Sequence, residues 1–334
     1  MAKQRKDIYI SLMNRIAFVM LINQGLLLVL SQALDELKLI LINSFGKNDF
    51  VDINLLFCEC LTYFLAFVLP VVLFNKMNKY SQKEIYEPKD VDKKTPLYAV
   101  LLLGMGLAII LCSSFVSNFV INSLSDYSEF SSQMFWSVEL KKPYQIVFYI
   151  VSYAIIPSFV EEILFRGTVC KSLKIYGKGT AIVISAVLFA LMHTNVEQLF
   201  YTFVAGLFFG WLYVETNNII APILLHFINN FISVIKEILY QNGTPIVYET
   251  FNSLADICVL IVGLISCVGF VYYVKKHKIT FKKTIEMKPD ENGNKVLSLS
   301  IGDRISGFLS AGMLIFVAYS LIMMAYFIYM SVIL

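Results

Sequence analysis

Four ionisable side chains lie inside hydrophobic stretches of this 334-residue chain: Glu161, Glu162, His193 and His226. A bilayer disfavours such residues, because burying a charge or an unpaired imidazole in hydrocarbon costs several kcal/mol, so they usually persist for function. The chain has only three histidines, and two of them belong to this set. One carboxylate with two imidazoles is the ligand set of a catalytic zinc ion, and it can also perform acid–base chemistry without a metal.

The first motif is a pair of adjacent carboxylates followed by an arginine, at Glu161, Glu162 and Arg166. Glu162 and Arg166 are one helical turn apart, so they can form an ion pair on one helix face. Glu161 lies about 100° away around the helix and is free to point elsewhere. The spacing therefore predicts that one carboxylate is neutralised and its neighbour stays available. A simpler interpretation is a charge cluster at a helix end, with Arg166 reaching the membrane surface.

The two histidines lie in the next apolar stretches. His193 ends the run AIVISAVLFALMH, and Phe189 lies one turn before it on the same face. His226 lies in APILLHFINN, and Asn230 lies one turn further along the same face. An imidazole beside an amide suits orienting a carbonyl or stabilising an oxyanion. Each histidine alone also has a structural interpretation, such as an interhelical hydrogen bond. Together with Glu161, they indicate one shared site.

The composition is that of a polytopic membrane protein with an all-α helix bundle. Hydrophobic residues make up 58% of the chain and charged residues 15%, and the mean hydropathy is +0.71. A soluble domain would carry roughly 25% charged residues. No segment resembles a nucleic-acid reader, and the basic stretch from Lys275 to Lys283 is better explained as a topology signal. The six scattered cysteines are interpreted as small hydrophobic residues, including Cys58 and Cys60, for which helix packing is preferred over metal binding.

About nine transmembrane helices are predicted, because a span needs about 20 mostly apolar residues. The segments lie approximately at 15–34, 55–74, 96–120, 144–166, 180–195, 198–214, 218–239, 254–274 and 306–332. The fifth is short. We divide the chain into three parts: 1–143 with three spans, a core at 144–240 that carries the candidate site residues, and 241–334 with two spans and a basic loop.

Lysine and arginine residues concentrate before the first predicted span and after the second, fourth and eighth. All these positions fall on one side of the membrane if there are nine spans. The positive-inside rule then places the N-terminus in the cytoplasm and the C-terminus outside. The predicted localisation is the cell membrane, with the lipid bilayer as a partner of the chain.

The ordered motifs resemble the CPBP family, the CAAX-protease and bacteriocin-processing group also called Abi proteins. EEILFRG matches the first family motif, FALMH the second and HFINN the third, and the similarity covers about 145–235. The resemblance implies an intramembrane endopeptidase with a water-filled cavity. By motif position, Glu161 and His193 would activate the attacking water, and His226 and Asn230 would complete the site. Supporting roles fall to Glu162, Arg166 and Phe189.

The expected cofactor is a zinc ion bound by Glu161, His193 and His226. We favour the metal because one carboxylate and two imidazoles leave a fourth position open for water. Water activated by a buried glutamate without metal is the alternative. The resemblance does not decide between them.

The depth of the site residues poses a difficulty. On a simple layout, Glu161 falls near the cytoplasmic end of the fourth span and His193 near the external end of the fifth. They meet only if the fourth helix continues past Arg166 towards Tyr176. We predict that extension.

Three functions are considered. The first is an intramembrane metalloendopeptidase that cleaves a membrane-delivered peptide or protein tail, such as a bacteriocin precursor, a signalling-peptide precursor or a CAAX-like protein. The second is a non-proteolytic bacteriocin immunity protein of the same fold, which would not need Glu161. The third is a proton-coupled transporter with a relay that includes Glu59. A transporter predicts two similar halves, and the sequence shows none. Glu59 has no role in the protease hypothesis.

Overall fold

The computed structural model describes residues 2–78, 96–123, 140–279 and 299–333, and these contain ten helices and no strand. The predicted all-α membrane bundle is confirmed. The helices are α1 (Ala2–Phe45), α2 (Asp49–Asn78), α3 (Pro96–Ser123), α4 (Pro143–Tyr176), α5 (Lys178–Met192), α6 (Val196–Thr216), α7 (Ile220–Asn242), α8 (Pro245–Lys276), α9 (Ile301–Phe308) and α10 (Ala311–Ile333). The basic loops after the second and eighth predicted spans, which were used to predict the topology, lie mostly outside the described residues.

Eight of these helices are long and apolar enough to cross a membrane, all except α5 and α9. The fifth predicted span corresponds to α5, whose 15 residues rise only about 22 Å. That length is less than the roughly 30 Å of a hydrocarbon core. The last predicted span is also corrected, because the short helix α9 ends at Phe308 and the membrane helix α10 begins only at Ala311.

The fourth helix continues past Arg166 to Tyr176, so the predicted extension is confirmed. It contains two π-helical stretches, Val151–Ile155 and Ile163–Cys170. In the second, Thr168 Oγ1 donates to the carbonyl of Ile163, five residues earlier, at 3.0 Å. Such wider turns occur frequently at functional sites. The second stretch begins directly after the paired carboxylates and changes which residues of α4 face its neighbours.

Helices α4 and α5 form an antiparallel hairpin around Gly177, whose φ of +128° favours a residue without a Cβ. Ser185 Oγ donates to the Phe165 carbonyl at 3.0 Å. The rings of Phe165 and Phe189 pack edge to face at 5.1 Å. One turn further from the hairpin bend lie Glu161 on α4 and His193 after α5. Because Glu161 and His193 lie equally far from the bend, they reach the same depth in the bundle.

Helix α4 lies at the centre of the bundle, in contact with α2, α5, α6 and α7. Helix α1 packs against α2 and α10, and α3 packs between α6 and α8. The approach of α6 to α5 is close at Gly206, where an added Cβ would lie 3.0 Å from the Cα of Ala186. Small residues allow such contacts between membrane helices.

Two neighbouring polar residues of α1 fix the helices around α4. Pro70 has no N–H group, so the carbonyl of Ala66 lacks its usual partner within α2. Asn23 Nδ2 donates to that carbonyl at 2.9 Å. Gln24 Nε2 donates at 2.7 Å to the carbonyl of Met192, at the C-terminal end of α5. Helix α1 therefore satisfies backbone carbonyls on two helices that lead to site residues.

Candidate active site

A fully buried ion pair lies behind the site. Arg166 Nη1 donates to Glu162 Oε1 at 2.8 Å, and both side chains are 0% exposed. Arg166 Nη2 donates to the Gly206 carbonyl at 3.0 Å. The guanidinium also lies over the rings of Phe189 and Phe209, at 4.7 Å and 5.1 Å from their centroids. The predicted ion pair is confirmed. The alternative, in which Arg166 reaches the membrane surface, is wrong.

His226 is held by the same carboxylate. Its Nδ1 donates to Glu162 Oε1 at 3.0 Å, and its ring stacks on Phe209 with centroids 5.0 Å apart. Since Nδ1 carries the proton, the neutral ring has its lone pair on Nε2. That atom lies 4.0 Å from Glu161 Oε2. Glu162 thus joins Arg166 to His226 and directs the imidazole at the neighbouring carboxylate.

The two oxygens of Glu161 have different surroundings. The side chain is only 4% exposed, and its Oε1 accepts a hydrogen bond from the hydroxyl of Tyr63 on α2. Its Oε2 has no hydrogen-bond partner among the residues that the structure describes. One oxygen is therefore held, and the other is a buried acceptor that a substrate, a water molecule or a metal can satisfy.

Tyr63 is a site residue that the sequence analysis missed. The available signal was weak: Tyr63 lies one turn after Glu59 in a mostly apolar stretch of α2. Nothing in the local pattern connects it with Glu161, 98 residues away.

His193 has the same protonation pattern as His226. Its Nδ1 lies 2.7 Å from the carbonyl oxygen of Phe189. A carbonyl only accepts, so Nδ1 donates and the lone pair of the neutral ring is on Nε2. The Phe189 ring packs edge to face against this imidazole at 4.8 Å and also touches the ring of His226 at 6.0 Å. Phe189 therefore separates and orients the two histidines.

The structure brings the predicted residues together around one cavity of about 1310 Å³. Its lining includes Glu161, Phe189, His193, His226 and Asn230. Asn230 Oδ1 accepts from the amide of Asn229 at 3.2 Å, so its NH₂ group is the half that can donate to a substrate. The remaining supporting residues, Glu162 and Arg166, lie behind this lining.

Glu59, which had no role in the protease hypothesis, lines the same cavity. The hydroxyl of Tyr153 donates to its Oε1 at 3.4 Å. A further ion pair in the lining joins Lys236 and Asp256 at 2.5 Å. The cavity therefore extends from the Glu161 carboxylate to a second polar region formed by α2, α4, α7 and α8.

The central part of the chain is similar to known proteins. Residues 143–232 match the family model described as type II CAAX prenyl endopeptidase Rce1-like. The chain is 26% identical over 199 residues to the membrane-embedded CAAX protease MroQ of Staphylococcus aureus (strain USA300), covering 58% of this chain and 78% of that relative. No solved structure matches. The predicted site residues all fall within the matched segment, whereas Tyr63 lies before it.

Proposed function

We propose that this chain, which belongs to the CAAX-protease family, hydrolyses a peptide bond of a membrane-delivered peptide or protein tail inside its cavity. At the family level it is a multi-pass membrane protease; the substrate and the mechanism are our proposal. One observation carries it. The oxygen of the buried Glu161 carboxylate that has no partner among the described residues lies 4.0 Å from His226 Nε2, at a cavity also lined by His193 and Asn230.

The first step is activation of water. Glu161 Oε2 and His226 Nε2 both accept, so one water molecule can donate one hydrogen bond to each. Two such bonds of about 2.8 Å span roughly 4.4 Å between their acceptors, close to the 4.0 Å observed. Glu161 takes a proton from this water as its oxygen bonds to the substrate carbonyl carbon. His193 contributes a second acceptor nitrogen to the same cavity.

The second step is breakdown of the tetrahedral intermediate. The NH₂ group of Asn230 donates to the oxygen that becomes negatively charged, which stabilises it. The C–N bond then breaks, and the proton held by Glu161 passes to the leaving nitrogen. The products are a new carboxyl group and a new amine, and Glu161 is again a carboxylate. Glu162 and Arg166 keep His226 in the tautomer that this sequence requires.

Zinc is the cofactor that we propose for an alternative form of this site. The donors fit in kind, because both histidines give their Nδ1 protons to oxygen acceptors, as metal-binding histidines do, and Glu161 Oε2 has no hydrogen-bond partner among the described residues. Within the described residues, however, no three His, Cys, Asp or Glu side chains lie close enough to hold one ion. Ligation by Glu161, His193 and His226 would therefore require a side-chain rearrangement. When bound, zinc would lower the pKa of a coordinated water.

Metal analysis of the detergent-purified chain decides between these forms. About one zinc per chain, lost in both His193→Ala and His226→Ala, would establish the metal-dependent site. Cleavage by protein that contains no stoichiometric metal would establish activation of water by Glu161 without a metal.

The proposed substrate is an unmodified peptide precursor, such as that of a bacteriocin or a signalling peptide. The cavity volume of about 1310 Å³ exceeds the 300–1,000 Å³ typical of small-molecule pockets. Its lining combines apolar side chains such as Leu107 and Ile110 with the polar groups described above. This combination suits an extended peptide with apolar side chains that enters from the bilayer.

The test uses the full-length chain in proteoliposomes with two peptides. One is an unmodified amphipathic precursor with an apolar segment, and the other is a farnesylated C-terminal tail. The reaction is run in H₂¹⁸O and analysed by mass spectrometry. We expect wild-type protein to cleave the unmodified peptide and to place one ¹⁸O in the new carboxyl group. We expect no product from Glu161→Gln.

Each other outcome rejects a stated part of the proposal. Cleavage of the farnesylated tail alone would reject the substrate class and keep the peptidase. Binding of the peptides without cleavage by wild-type protein would reject the peptidase and favour the non-proteolytic immunity protein.

A further inference from the structure

Tyr63 contacts the proposed catalytic carboxylate from outside the segment that matches the family model. Its hydroxyl donates to Glu161 Oε1, whereas the matched segment starts at residue 143. The inference drawn from this contact rests on the proposed function, because it assigns Glu161 the role of base or ligand.

The contact fixes the orientation of a carboxyl group that would otherwise rotate. The terminal torsion of a glutamate has broad, roughly two-fold preferences, so rotamer energetics alone do not place its oxygens. With Oε1 held by Tyr63, Oε2 is the oxygen that faces His226 Nε2, 4.0 Å away. The hydrogen bond also offsets part of the cost of burying this carboxylate, whose side chain is only 4% exposed.

The phenol itself is held firmly. Its ring packs against Phe67 with centroids 4.8 Å apart, and Phe67 is 0% exposed. One turn after Tyr63, Asn23 of α1 binds the Ala66 carbonyl that Pro70 leaves without a helical partner. This bond anchors the part of α2 that carries Tyr63. An unbroken series of contacts thus runs from α1 through α2 to Glu161.

We propose that Tyr63 is a positioning residue for Glu161, and that α1 and α2 therefore belong to the active site. Tyr63 acts through the carboxylate and does not itself react. The role is the same whether Glu161 activates water directly or ligates zinc, since ligating carboxylates are also oriented by hydrogen bonds.

The kinetic test compares Tyr63→Phe with Tyr213→Phe in the full-length chain. Tyr213 is a buried tyrosine of α6 whose ring contacts Lys174, and it is absent from the cavity lining. We expect Tyr63→Phe to lower kcat by about 10- to 100-fold with KM within about twofold. Tyr213→Phe should leave both constants within about twofold. Unchanged kcat in Tyr63→Phe would overturn the proposal.

A spectroscopic test does not depend on activity. The infrared difference between wild-type protein and Glu161→Gln identifies the carboxyl band of Glu161. Loss of a hydrogen-bond donor should shift this band in Tyr63→Phe and leave it in place in Tyr213→Phe. An unshifted band overturns the proposed contact. If wild-type protein cleaves no peptide but the band shifts in Tyr63→Phe, the proposed function fails and the positioning contact stands. The failure of one proposal is therefore distinguishable from the failure of the other.

Discussion

The adjacent carboxylates Glu161 and Glu162 have different roles because the helix turns them towards different surroundings. Glu162 accepts from both Arg166 and His226 behind the cavity. Glu161 faces the cavity, with one oxygen bound to Tyr63 and the other without a partner among the described residues. The first is a structural charge, and the second is available for chemistry.

Replacing the two carboxylates one at a time should separate these roles. Glu162→Gln leaves a buried guanidinium without its counter-charge, which typically costs about 3–5 kcal/mol. We therefore expect a lower melting temperature in detergent as well as lost activity. Glu161→Gln removes a buried charge that forms no ion pair with a lysine or arginine among the described residues, so this variant should be inactive and melt at or above the wild-type temperature. Equal melting temperatures for the two variants would contradict this division of roles.

The sequence predicted those parts of the site that depend on local spacing. One helical turn relates Glu162 to Arg166, Phe189 to His193 and His226 to Asn230, so each pair follows from helical geometry. The bond between Glu162 and His226 joins residues 64 apart, and it depends on how α7 packs against α4. No local pattern contains that information.

At the scale of elements, the α4–α5 hairpin decides whether the site forms. The apolar pattern predicted both helices. The extension of α4 was predicted because Glu161 and His193 could not otherwise meet. The π-helical stretches and the short length of α5 were not predicted. Both depend on backbone hydrogen bonding that side-chain periodicity does not report.

The close packing of α5 against α6 supports this hairpin and can be tested at Gly206. A Cβ there would lie 3.0 Å from Ala186 Cα and 3.3 Å from the Phe189 ring. Gly206→Ala should therefore push α6 away, move the carbonyl that binds Arg166, and cost about 1–3 kcal/mol. The melting temperature in detergent measures this cost.

Gly25→Ala on α1 is the matched control, since nothing lies within 4 Å of its added Cβ. Alanine favours the helix over glycine by up to about 1 kcal/mol, so this variant should melt at or above the wild-type temperature. A Gly206→Ala protein that melts like the control would show that close packing of α5 on α6 is not required.

At the scale of the whole molecule, three segments meet at one end of the bundle. Lys6 near the start of α1 lies 3.4 Å from Asp303 of α9. An added Cβ at Gly177, the bend of the hairpin, would lie 3.6 Å from Arg304. Asn14 Oδ1 accepts from the backbone N–H of Gly312 at the start of α10. The charge pattern had predicted the start of α1 and this bend on one side of the membrane, and the structure places them together.

This arrangement supports the predicted topology, because α10 starts at the end of the bundle where α1 starts. Its 23 residues rise about 34 Å, enough to cross the hydrocarbon core. With the N-terminus in the cytoplasm, a reporter fused after Leu334 should be external. We expect alkaline phosphatase fused there to be active and a green fluorescent protein fusion to be dark. The reverse result would contradict the predicted topology.

The central claim is that Glu161, His193, His226 and Asn230 form one peptide-hydrolysing site. The most direct measurement is the cleavage rate of one identified peptide in proteoliposomes by wild-type protein and four single variants: Glu161→Gln, His193→Ala, His226→Ala and Asn230→Ala. We predict that every variant folds and loses at least about 100-fold in kcat, in line with removal of a group used in the transition state. Cleavage at the wild-type rate by Glu161→Gln and by both histidine variants would contradict the account.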